Sequence, residues 1–134
     1  PFRVLNDLPM AMTAHIIYAA HDSLPATQSP RLIRLIREEI GFGGLLMTDD
    51  LNMEALKGSL ASRTAASLAA GCDIALHCKG DLGQMQEVAA AAGTMRDDSR
   101  ARAVAALAAR RPAPEVDIAA LEAELAALTG ALHV

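Results

Sequence analysis

Two adjacent aspartates, Asp49 and Asp50, follow directly after an apolar run in the stretch GGLLMTDDLNM. A carboxylate can act as a nucleophile, as a general acid or base, or as a metal ligand. It can also cap a helix or hold a turn, since Asp is common in both places. The local pattern favours a structural role, so the surrounding elements must decide whether the pair could do chemistry.

The first half of the chain alternates between strand-like and helix-like segments. The predicted strands cover residues 11–18, 44–48 and 73–77, which are apolar and partly β-branched. A Ser-Pro pair at residues 29–30 predicts the start of one helix, and Gly41 and Gly71 are expected to end the two helices between the strands. This β-α-β-α-β order predicts an α/β fold with parallel strands and right-handed crossovers.

The aspartate pair therefore falls at the carboxyl end of the second predicted strand. In α/β barrels and open α/β sheets, ligands bind at that rim. His15 and His77 lie at or near the carboxyl ends of the other two predicted strands. His15 could also be a hydrogen-bonded core residue, and His77 a partly buried and inert one. Taken together, these residues make a functional interpretation as strong as a structural one.

The second half of the chain, after Leu82, is rich in Ala and helical in its pattern. Helices are predicted at residues 85–92, 98–110 and 118–132, with Asp117 as an N-cap. Their amphipathic spacing predicts packed helices rather than disorder. We therefore divide the chain into an α/β segment, residues 1–82, and a helical tail that packs on it, residues 83–134.

Composition argues against several classes of function. The 134 residues are 52% hydrophobic but only 2% aromatic, so one domain with an aliphatic core is expected. A net charge of −4 without a basic cluster argues against a nucleic-acid partner, and no apolar run reaches the ~18 residues of a membrane span. Cys72 and Cys78 are expected to be small buried residues beside a strand rather than metal ligands, which suggests a reducing cytoplasm.

Four blocks of the sequence, LPMAMTAHIIY, PATQSP, IREEIGFGGLLMTDDLNM and AGCDIALHC, resemble bacterial β-N-acetylglucosaminidases of glycoside hydrolase family 3. They are similar, in the same order, to the carboxyl-terminal half of these cytoplasmic enzymes, which remove N-acetylglucosamine from muropeptides during cell-wall recycling. The resemblance covers about residues 1–80, and the helical tail only loosely. It implies the C-terminal part of a (β/α)8 TIM-type barrel, about three parallel strands, followed by the Ala-rich tail.

The resemblance implies roles for individual residues. Asp49 would be the nucleophile that attacks the anomeric carbon, with retention of configuration. Asp50 would shape the loop, His15 would line the sugar pocket, and Met12 and Met53 would wall it. No metal or organic cofactor is implied. A metal site of Asp49, Asp50 and His15 is a weaker alternative, because adjacent carboxylates on a turn point in different directions.

The sequence also departs from the family's pattern. The family's Lys-His-Phe-Pro-Gly-His-Gly block, which binds the sugar, and its Asp-His pair, which acts as general acid/base, do not occur here. His21 and Asp22 lie in the wrong place and order, and are interpreted as loop. We therefore expect the isolated chain to show little or no turnover. The alternative is a non-catalytic interaction module that self-associates or binds the missing N-terminal half through its apolar surface.

Overall fold

A computed structural model of the chain describes residues 1–130 and has a three-stranded parallel sheet with β2 in the centre. The strands are β1 (Met10–Met12), β2 (Leu45–Asp50) and β3 (Ile74–Leu76). Met10 pairs with Leu45 at the start of β1, and β3 lies along the other side of β2 with an irregularity between Met47 and Asp50. The predicted β-α-β-α-β order with parallel strands is thereby confirmed.

Helices follow each strand and continue to the end of the described chain. They are α1 (Pro30–Arg34), α2 (Leu60–Ala70), α3 (Leu82–Ala92), α4 (Asp97–Ala108) and α5 (Ile118–Thr129). A π-helical turn, Leu35–Glu39, extends α1, and a 3-10 turn, Ala26–Gln28, precedes it. Among the described residues, no helix is both long and apolar enough to span a membrane. The predicted end of the last helix, at residue 132, lies outside the described residues.

Helix ends follow the local signals in the sequence. Ser29 caps α1 by accepting a hydrogen bond from the backbone N–H of Leu32. Gly71 ends α2 with φ of +115°, a conformation that favours glycine. Asp81 caps α3, so this helix begins at Leu82, three residues before the predicted start at residue 85.

Two strand ends differ from the prediction by two residues or more. β1 ends at Met12 rather than at residue 18: the N–H of Thr13 makes a last bond to β2, and Ile17 then pairs with Pro25 in a separate antiparallel bridge. β2 continues through both aspartates, because Asp50 still pairs with Leu76 of β3. The aspartates are therefore the last two strand residues, not the first residues of a loop.

The core is mainly aliphatic, as predicted, although it includes the aromatic ring of Phe42, and it consists of two clusters. Leu46 of β2 packs with residues of α1, α2 and the segments that follow them: Ile33, Phe42, Ala70 and Cys72. The second cluster joins the loop after β2 to α2 and α3: Leu51, Leu56, Leu60 and Val88. Cys72 is buried but Cys78 is exposed, so the prediction that both cysteines are buried is wrong for Cys78. It lies beyond β3, where no cluster covers it.

The helical tail packs only in part. α3 and α4 bury Val88 and Ala106 respectively, but α5 has no buried residue. Residues 110–117, which include Pro112 and Pro114, form no helix or strand and connect α4 to α5, whose residues are all exposed. The predicted packing of the tail therefore does not extend to α5.

At the amino end of the strands, Asp73 ties together distant parts of the chain. Its fully buried carboxylate accepts hydrogen bonds from Arg37, Ser99, Arg102 and the backbone N–H of Leu46, at 2.7–2.9 Å. Burial alone would raise the pKa of Asp73, but the bonds from Leu46 and Ser99 and the charges of Arg37 and Arg102 outweigh it and lower the pKa. This network joins the π-helical turn after α1, strand β2, the residue before β3 and helix α4.

Candidate active site

The carboxyl ends of the three strands bring together most of the residues that the sequence suggested. Asp49 and Asp50 end β2, His15 follows β1 and His77 follows β3. The imidazole of His15 donates from Nε2 to the backbone carbonyl of Asp50 at 3.0 Å. The loop after β1 is thereby joined to the end of β2, although 35 residues separate His15 from Asp50.

Asp49 is half-buried, and its carboxylate accepts a single hydrogen bond from the described residues. Oδ1 accepts one hydrogen bond, from the backbone N–H of Asp50 at 2.8 Å. Within residues 1–130 no Lys or Arg forms an ion pair with it, so the Asp49 carboxylate has a backbone donor but no cationic partner there. A carboxylate with one oxygen fixed and the other unpaired is free to react with a ligand.

Asp50 uses its carboxylate differently. Its Oδ1 accepts hydrogen bonds from the backbone N–H groups of Asn52 and Cys78, both at 3.1 Å. The first bond closes the turn after β2, and the second joins that turn to the segment after β3. The predicted role of Asp50 in the site stays a prediction.

His15 has no free ring nitrogen. Nδ1 lies 2.8 Å from the hydroxyl of Thr27, while Nε2 binds the carbonyl of Asp50. Both nitrogens are therefore bound to protein groups, so His15 could meet a sugar only through its ring carbons and faces. Its predicted place in the lining of a sugar pocket stays a prediction, as do those of Met12 and Met53, whose side chains are about half exposed.

His77 points away from this chemistry. Its Nε2 lies 2.9 Å from Oε1 of Gln84 on α3, and its Nδ1 is buried without a partner in the described part of the chain. It lines a groove of about 490 Å³ between β3, α3 and α4 that does not include Asp49. The side chain of His77 is therefore bound to α3 and forms no hydrogen bond with Asp49 in the described part of the chain.

Two supporting residues were not identified from the sequence. The guanidinium of Arg63 on α2 donates to the backbone carbonyls of Leu51, Met53 and Gly58, and so holds the loop after β2. Thr27, which is fully buried, binds His15. The sequence offers no spacing signal for either contact, because both join segments that are distant in the chain.

The rim has a carboxylate, that of Asp49, with an oxygen that accepts no hydrogen bond from the described residues. The described residues include no group of three or more side chains suited to holding a metal ion. A retaining glycosidase needs a second carboxyl group at ~5–5.5 Å from the nucleophile. Asp50 does not fit that task, because its carboxylate is held by two backbone N–H groups.

Comparison with known proteins places these features in context. Residues 1–108 match the family model of the glycosyl hydrolase family 3 N-terminal domain. The β-hexosaminidase of Bordetella pertussis is 41% identical over 87 residues, which cover 61% of this chain and 25% of that protein. The β-hexosaminidase of Alkalilimnicola ehrlichii is 47% identical over 83 residues, 58% of this chain and 24% of that protein.

A solved structure agrees with the sequence relatives. The crystal structure of the β-N-acetylglucosaminidase from Thermotoga maritima superimposes with a TM-score of 0.64 and 30% identity. The match covers 83% of this chain and 28% of that one. The chain thus spans about a quarter of the length of the curated relatives that it matches.

Proposed function

Because the chain belongs to the family of glycosyl hydrolase family 3 N-terminal domains, we propose that it carries the nucleophile of a retaining β-N-acetylglucosaminidase. The matched relatives are named β-hexosaminidase and β-N-acetylglucosaminidase, which supports this class of substrate. The observation that carries the proposal is the carboxylate of Asp49 at the carboxyl end of the central strand. One of its oxygens accepts no hydrogen bond from the described residues.

In the proposed reaction, the carboxylate of Asp49 attacks the anomeric carbon of a terminal N-acetylglucosamine. The glycosidic bond breaks as the new ester bond forms, and the leaving oxygen receives a proton from a general acid. Water then hydrolyses the glycosyl-enzyme, which restores the original anomeric configuration. The N–H of Asp50 holds one oxygen of Asp49 so that the other faces the sugar.

The proposed enzyme is a (β/α)8 barrel to which this chain contributes three strands. Support comes from the exposed side chains of β1, Met10 and Met12, which leave the sheet uncovered at this edge. The rest of the barrel would supply the general acid and the sugar-binding groups, so we expect the isolated chain to be inactive. Action on muropeptides in the cytoplasm follows from the resemblance in sequence alone and is part of the same proposal.

The test is a segment replacement. The matched 87-residue segment of the Bordetella pertussis enzyme is replaced by the corresponding residues of this chain, and hydrolysis of p-nitrophenyl N-acetyl-β-glucosaminide is measured. We expect turnover with retention, and we expect Asp49→Ala to abolish it. A folded replacement enzyme, by circular dichroism, that shows no turnover would contradict the proposal, as would turnover that survives Asp49→Ala.

The second candidate function is self-association, which one feature of α5 favours. Its apolar residues recur at the a and d positions of a heptad, and all are more than half exposed: Ile118, Leu121, Leu125 and Leu128. Sedimentation of the wild-type chain beside Leu121→Glu and Leu125→Glu variants tests this. A concentration-dependent dimer that both variants dissociate would support self-association, and a monomer at all concentrations would contradict it.

A further inference from the structure

Thr27 lies at the centre of a buried group of polar atoms beneath the rim. Its hydroxyl is 2.9 Å from that of Thr13, 3.1 Å from the carbonyl of Ala14 and 2.8 Å from Nδ1 of His15. Thr27 has no exposed surface, and Thr13 is nearly as deeply buried. Three partners fix the position of this buried hydroxyl, and the carbonyl of Ala14 among them can only accept its single proton.

The partner on the far side of the ring determines the tautomer of His15. The carbonyl of Asp50 can only accept, so Nε2 of His15 must carry a proton. In a neutral imidazole, Nδ1 then has no proton and can only accept, so it competes with the carbonyl of Ala14 for the single proton of the Thr27 hydroxyl. The hydroxyl of Thr13 is left to donate to Thr27.

The same series of bonds reaches the nucleophile. His15 donates a hydrogen bond to the backbone carbonyl of Asp50, and the N–H of Cys78 donates one to the side-chain carboxylate of Asp50. Its own N–H donates to Oδ1 of Asp49. The position of the Asp50 backbone therefore sets the direction of the Asp49 carboxylate.

We infer that Thr27 and His15 are positioning residues, which fix the nucleophile through Asp50 without contacting the sugar by a hydrogen bond. This inference rests on the proposed function, because it concerns the direction in which Asp49 attacks. A misplacement of about 1 Å can cost ~10²-fold in rate. Loss of the Thr27 hydroxyl should therefore lower kcat and leave KM nearly unchanged.

The kinetic test compares three substitutions in the active segment-replacement enzyme. Thr27→Val keeps the shape and removes the hydroxyl, and we expect a kcat lower by ~10–10²-fold. Thr27→Ser restores the hydroxyl, and with it most of kcat. The matched control is Thr64→Val, since Thr64 is equally buried but bonds only to Leu60 of its own helix. Equal losses in Thr27→Val and Thr64→Val, or no rescue by Ser, would overturn the inference.

The spectroscopic test uses the 134-residue chain and does not depend on activity. Nitrogen-15 NMR at a pH where imidazole is neutral should show His15 with its proton on Nε2. Thr27→Val should shift the Nδ1 resonance, whereas Thr64→Val should not. A proton on Nδ1 would overturn the inference.

The kinetic results distinguish this inference from the proposed function. If Asp49→Ala leaves turnover intact, the proposed function fails. If Asp49→Ala abolishes turnover but Thr27→Val does not lower it, only this inference fails.

Discussion

Asp49 and Asp73 lie at opposite ends of the same three-stranded sheet, and their surroundings differ almost completely. The carboxylate of Asp73 has no exposed surface and accepts bonds from three side chains and one backbone N–H. The carboxylate of Asp49 is half-buried and accepts one bond, from its neighbour. A carboxylate whose oxygens are all bound holds the fold together, and one with an unused oxygen is available for chemistry.

The largest expected effect concerns activity at Asp49. In the segment-replacement enzyme, Asp49→Asn should lower turnover by at least ~10³-fold, because the amide is a poor nucleophile. The same substitution in the 134-residue chain should change the free energy of unfolding by no more than ~0.5 kcal/mol, since the amide oxygen of Asn can still accept the bond from the N–H of Asp50 at a half-exposed position. A large loss of stability without loss of turnover would reverse the comparison.

Asp73→Ala should have the opposite pattern. It leaves Arg37, Arg102 and Ser99 without their buried acceptor. Breaking a buried pair in this way typically costs ~3–5 kcal/mol. Urea unfolding of the 134-residue chain, followed by circular dichroism, measures the loss. A change below ~1 kcal/mol would show that the network contributes little and that the two aspartates are more alike than their contacts indicate.

Low pH should remove the contribution of Asp73 to the free energy of unfolding. Its pKa is lowered from 3.8 in the folded protein, so the stability that it adds is complete above pH ~3.8 and is lost as pH falls through the folded pKa. The difference in unfolding free energy between wild type and Asp73→Asn should therefore shrink as the pH falls below 3.8. A difference that stays constant to pH 2 would contradict an ionised Asp73 in the network.

Substitution of Asp50 should have effects on stability and turnover that lie between those of the Asp49 and Asp73 substitutions. Asp50→Ala removes the acceptor for the N–H groups of Asn52 and Cys78. We expect a loss of ~1 kcal/mol in unfolding free energy, because one half-buried and one exposed N–H group lose their acceptor. Turnover should fall less than with Asp49→Asn. If Asp50→Ala abolishes turnover at unchanged stability, Asp50 acts on the substrate itself.

Local signals in the sequence correctly predicted two helix ends and the central strand, because these features depend on residues that are close in the chain. Ser29 and Gly71 marked helix ends correctly, and the apolar run before Asp49 marked the central strand. The length of β1 was overestimated, because pairing with β2 stops after Met12 although the residues that follow are still suited to a strand.

Long-range contacts left no local pattern to recognise. The bond from Thr27 to His15 spans 12 residues, and the bond from Ser99 to Asp73 spans 26. Both are made by common residue types without any characteristic spacing. The sequence therefore indicated Asp49 as a candidate nucleophile, through its position and its resemblance to a family, but it did not indicate the contacts made by Thr27 and Ser99.

The most direct test of the central claim, that Asp49 is the nucleophile, is covalent trapping. The segment-replacement enzyme is treated with a 5-fluoro glycosyl fluoride of N-acetylglucosamine, whose ring fluorine slows hydrolysis of the glycosyl-enzyme, and its proteolytic peptides are analysed by mass spectrometry. We predict one added sugar on the peptide that contains Asp49 and none in Asp49→Ala. A sugar attached to another residue, or turnover with retention in Asp49→Ala, would contradict the account.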